Sequence, residues 1–78
     1  MPPERPERHP DIFVLLNRIG GRSMRAECQM WGAPHAWEVR LEIVGLGVVA
    51  SLPVPTVSSA METGVRWKAA MIALGWRE

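Results

Sequence analysis

The tetrad Gly32-Ala33-Pro34-His35 places an imidazole where one alternating run of side chains ends and another begins. An imidazole at such a point can move a proton near neutral pH, ligate a metal or hydrogen-bond a ligand oxygen. The first two roles need company. The second histidine, His9, stands in a stretch of prolines and charges, and there is no Ser-His-Asp order or paired-carboxylate turn. Gly45-Leu46-Gly47 is too short to cradle a phosphate and opens no helix. Cys28, His35 and scattered glutamates match no metal-site spacing. The sequence therefore predicts a domain with no catalytic residue, no metal and no cofactor. His35 is left as a hydrogen-bonding or packing group.

Composition narrows the class further. A chain of 78 residues has room for one small domain. A single cysteine excludes an intramolecular disulfide and points to a reducing, intracellular compartment, whether cytoplasm, nucleus or mitochondrion. Nine Lys and Arg against eight Asp and Glu give a net charge of +1, far from the basic excess of a strong phosphate binder. No apolar run approaches the roughly 20 residues that span a bilayer, and residues 1–10 lack the apolar centre of a signal peptide. No membrane partner is expected.

The elements that must position His35 follow from periodicity. Residues 1–9 read as a flexible leader or linker, and residues 10–78 as the domain. Ile12, Leu15, Leu16 and Ile19 fall at i, i+3, i+4 and i+7, one face of a helix, with Pro10 in its first turn and Gly20-Gly21 at its end. Met24, Ala26, Cys28 and Met30 alternate with polar neighbours, as do Trp37, Val39, Leu41 and Ile43, which predicts two antiparallel strands sharing an apolar face. Val48–Leu52 forms a third strand, stopped by Pro53 and Pro55 and suited to a sheet edge. Ser58 or Ser59 caps a last helix whose inward stripe is Met61, Val65, Ala69, Ile72 and Trp76. The expected fold is α+β, in the order α-β-β-β-α, with a three-stranded antiparallel meander and two helices packed on one face.

That order, with G-x-P-H in the first hairpin and Val39, Leu41, Ile43 and Gly47 after it, resembles the double-stranded RNA-binding domain over roughly Pro10 to Gly75. The resemblance implies a hairpin loop entering the RNA minor groove, where Pro34 and His35 meet 2′-hydroxyls, with Asn17 and Arg18 of the first helix touching ribose or phosphate. A turn-packing role for His35 stands beside this one. The family's lysine cluster, K-K-x-A-K at the start of the last helix, falls here on Ser58, Ser59, Ala60, Met61 and Glu62. Every lysine is missing, and Glu62 adds a repelling charge.

A degenerate member of that family implies a module of an RNA-processing protein or complex that acts in protein–protein interaction or dimerisation, with weak RNA affinity. The alternative is a genuine double-stranded RNA binder that works in tandem with other domains. In either case it can belong to a larger enzyme. The candidate interface is the edge strand, with Val48, Val49, Ala50 and Leu52, together with Trp67, Met71 and Leu74 of the last helix. Its partner is a second copy of the chain or another protein.

Overall fold

In the computed structural model, which describes residues 7–33 and 36–78, alternation wins over helical spacing along most of the chain. The strands are β1 (Glu7–Arg8), β2 (Phe13–Ile19), β3 (Arg22–Ala33), β4 (Ala36–Ile43) and β5 (Gly47–Val54), followed by the helix α1 (Val57–Ala73). All pairings are antiparallel. The long β3 is paired along one flank by both β1 and β2, and on the other by β4, which carries β5 at its far side. Of the leader expected over residues 1–9, Glu7 and Arg8 thus join the sheet opposite Gly32 and Trp31, and the His9 N–H donates to the Met30 carbonyl at 2.9 Å.

The α-β-β-β-α arrangement is corrected at its first element. Residues 13–19 form β2, so the architecture is a five-stranded antiparallel sheet with one C-terminal helix. The reason lies in Gly20 and Gly21. They take φ of +60° and +79° and link the paired residues Ile19 and Arg22 as a two-residue hairpin loop, a geometry that follows the natural twist of two strands and favours glycine at both places. Burial along β2 then has a period of two, with Phe13 and Leu15 buried and Leu16 exposed. A run this short satisfies part of both templates, and its β-branched and aromatic residues Ile12, Phe13, Val14 and Ile19 favour the strand.

The helix covers one sheet face. Phe13, Leu15, Ala26, Cys28, Val39, Ile43 and Val54 supply the sheet side of the core, and Ala60, Met71 and Trp76 cover it. The cap sits upstream of the expected serines: Thr56 is extended, and its Oγ1 accepts the Ser59 N–H at 3.0 Å. The buried stripe of α1 is Ala60, Thr63, Gly64 and Met71, with Trp67 partly buried, whereas Met61, Val65, Ala69 and Ile72 face outward. The helix is therefore turned away from the orientation its large apolar residues suggest. Small residues decide this, because a Cβ on Gly64 would stand only 2.5 Å from Ile12 Cγ2, so the Ile12 side chain packs directly on the helix backbone at this glycine.

The end of α1 sets the path of the tail. Gly75 takes φ +104°, its N–H donates to the Ile72 carbonyl at 3.0 Å, and the Trp76 N–H donates to Met71 at 3.1 Å. This paired arrangement is the Schellman close of a helix. It turns Trp76 into the core and lays Arg77 along β2, where Leu16 and Arg77 exchange both backbone hydrogen bonds at 2.6 and 2.8 Å.

Candidate interaction surface

The two sides of the sheet end differently. On the β2 side, Arg77 pairs with Leu16 and so interrupts the edge. On the other, β5 pairs with β4 alone, and among the described residues no further strand covers it. The uncovered strand is apolar: Val48, Val49 and Leu52 are 54%, 55% and 43% exposed, and residues 43–61 contain no charged side chain. Soluble proteins ordinarily guard such an edge with lysine or another charge.

Two irregularities define which part of the edge can pair. A β-bulge falls where Leu41 faces Ala50 and Glu42 faces Val48, so Val49 is the extra residue and the regular ladder runs from Ala50 to Val54. Within it stands Pro53, opposite Glu38. A proline has no N–H to give the ladder, so an edge strand accommodates it with the nitrogen turned to the open side. Ser51 lies two residues earlier with no bulge between, so its N–H and C=O face outward as well. Ala50, Leu52 and Val54 face β4.

The sequence-nominated interface is thus divided. Val48, Val49, Ala50 and Leu52 all lie on the edge strand β5. Leu74 is 77% exposed just past the helix. Met71, in contrast, is only 7% exposed and Trp67 packs against the core, so both are corrected to residues that hold the helix on its own sheet. Their place on the surface is taken by Val57, Met61, Val65 and Ile72, which the wide apolar circumference of the helix concealed.

The residues nominated for RNA contact separate similarly. Pro34 and His35 lie outside the described residues. Asn17 and Arg18 sit on β2 instead of a first helix, and Asn17 Oδ1 accepts the Arg18 N–H at 2.8 Å. The positions carried over for the lysine cluster fall in the first turns of α1, where Ser58, Met61 and Glu62 are exposed and Ala60 is buried.

The sheet face away from the helix carries a satisfied polar network. Gln29 is nearly inaccessible, yet its Nε2 donates to Glu42 Oε1 at 2.6 Å and its Oε1 accepts the Trp31 Nε1–H at 2.9 Å. The Arg40 guanidinium stacks 4.4 Å above the Trp31 ring and pairs with Glu38. Glu27 accepts from Arg25 at 2.9 Å and Arg8 at 3.3 Å, and the Arg25 hydrogen bond, outweighing burial, holds its carboxyl below the ordinary carboxylate value. Burial pushes the Cys28 thiol up to about 12, so at neutral pH it is a packing group and not a nucleophile. Mixed signs across this face offer no continuous basic surface to a phosphate backbone.

Among the described residues no cluster of three His, Cys, Asp or Glu side chains is placed to hold a metal, and no helix is long and apolar enough to cross a membrane. Comparison with known proteins finds no matching family model, no matching curated protein and no matching solved structure.

Proposed function

We propose that this chain is a protein–protein interaction module that associates with a second copy of itself by antiparallel pairing of β5. The observation that carries the reading is an uncharged, uncovered edge strand whose large side chains are about half exposed. Self-pairing centred on Ser51 sets Ala50 against the partner's Leu52 and Val49 against the partner's Pro53, with no charge opposed to a like charge. Two Ser51 residues exchange their outward N–H and C=O groups, and the five-stranded sheet becomes one of ten strands. A two-fold axis at the centre of an antiparallel pair runs through the sheet, so both helices end on the same face, each carrying an exposed stripe of Met61, Val65 and Ile72.

Nothing in the fold supports the RNA-processing setting, because the α-β-β-β-α order that carried the resemblance is replaced by five strands and one helix, and Asn17 and Arg18 sit on a strand. What supports weak, salt-sensitive RNA binding at most is a net charge of +1 and the mixed signs on the open sheet face.

Sedimentation velocity over a concentration series tests the association. The wild-type chain forms a dimer whose population rises with concentration, and Val49→Lys, which places a charge beside the pairing segment, shifts it to monomer. A wild type that stays monomeric at the highest concentration contradicts the proposal.

A further inference from the structure

A second feature lies at the opposite sheet edge and does not depend on self-association. Between the outer half of β2 and the chain that follows α1 is a cleft of about 440 Å³, lined by Leu16, Asn17, Arg18, Ser23, Arg77 and Glu78 around Gly75. Its size falls within the range of roughly 300–1,000 Å³ typical of small-molecule sites.

Backbone register explains why cations gather there. Leu16 pairs with Arg25 on one side and Arg77 on the other, so these side chains share the sheet face away from the helix. Arg18 is two residues further along the same face, flanked by its β3 partner Ser23 and by Gly75, which continues the Arg77 register. Its Nη2 donates to the Gly21 carbonyl at 3.4 Å, and the two small neighbours leave space for its remaining N–H groups to turn to a ligand. Arg25 is turned to Glu27, but Arg18 and Arg77 enter no ion pair among the described residues. The acid in the cleft wall, Glu78, is engaged by Lys68, whose hydrogen bond holds the carboxyl below its ordinary value.

The backbone amide beside these groups is already satisfied. The Leu16 N–H points out of the sheet toward Arg77, so the Arg18 N–H, two residues on, points outward as well, and the oxygen that meets it at 2.8 Å is the neighbouring Asn17 Oδ1. Two forked guanidinium groups and one hydroxyl suit a tetrahedral oxyanion, with Leu16 as an apolar wall for what is attached to it.

We propose that this cleft binds the phosphate group of a small phosphate monoester, held by Arg18 and Arg77 with help from Ser23. The test titrates the full chain with phenyl phosphate and, separately, inorganic phosphate at constant ionic strength, following backbone amide shifts. Sodium chloride and phenol serve as controls. Saturable shifts confined to residues 16–18, 23 and 75–78 are expected with both phosphates. Arg18→Gln and Arg77→Gln each weaken binding roughly tenfold while spectral dispersion is kept, and Arg18→Lys, which preserves the charge, retains part of the affinity. Chloride or phenol reproducing the same shifts overturns the proposal, as does affinity unchanged in both glutamine variants.

Discussion

At the scale of single residues, stability rests on a few side chains with no freedom to be replaced. Leu15 is fully buried between the sheet and its helix, and Leu15→Ala removes contacts that the neighbouring strands cannot close over. Its cost is about 2–5 kcal/mol, read from urea denaturation, and a near-zero change would mean that β2 presents its other face to the core. Glu27 gives a pH signature. Its folded carboxyl titrates below its unfolded value, so the stabilisation it gives is present above the unfolded pKa and lost as pH falls through the folded one. Glu27→Gln, whose partners Arg8 and Arg25 are half exposed, changes stability little at neutral pH and flattens the acid limb below about pH 4.3. Denaturation midpoints measured from pH 3 to 7 check this, and an acid limb of unchanged slope contradicts it.

At the scale of elements, glycines decide where chains turn and what the turns deliver. Gly75 closes α1 in a conformation that a Cβ disfavours, and the turn delivers Trp76 to the core and Arg77 to β2. Gly75→Ala is expected to cost about 1–2 kcal/mol, with faster exchange of the Leu16 amide as the Arg77 pairing loosens. Unaltered exchange there would show that the tail is held by Trp76 alone. The same logic explains what the sequence discloses and what it hides. Strands β3 and β4 are legible because Met24, Ala26, Cys28 and Met30 alternate with the polar Arg25, Glu27 and Gln29, and the structure pairs Cys28 with Leu41 and Met30 with Val39 on the shared face. The strand β2 is hidden because seven residues fit two periods, and Gly20-Gly21 serves equally as a helix stop or a hairpin loop until the partner strand is known. Rotation of α1 is hidden because apolar residues surround it. Ala60, Thr63 and Gly64 mark the true packing side by their small size, a signal that hydrophobic periodicity does not weigh. The pairing of β1 is not legible at all, since two residues carry no period and depend on the length of β3.

At the scale of the whole molecule, a sheet with one covered face has one edge interrupted by its own tail and another left open among the described residues. The open edge was readable from Val48–Leu52 and the prolines after it, but the helix residues beside it were not, because Trp67 and Met71 are needed inside. The proposed ten-stranded dimer sheet would join two small cores without asking either to enlarge, which suits a chain with so many apolar side chains outside its core. In the proposed dimer the arginine cleft lies at the far edge of each copy, away from the pairing strand.

Pairing of two β5 strands is tested by hydrogen exchange at one backbone amide, that of Ser51, measured at several protein concentrations beside Ala50 and Leu52. The latter two face β4 and stay protected throughout, whereas Ser51 points outward and gains protection only when a second copy pairs with it. Self-pairing of β5 gives a Ser51 amide that exchanges freely in dilute solution and becomes progressively protected as concentration rises. A Ser51 amide that exchanges freely at every concentration, while Ala50 and Leu52 remain protected, would contradict it.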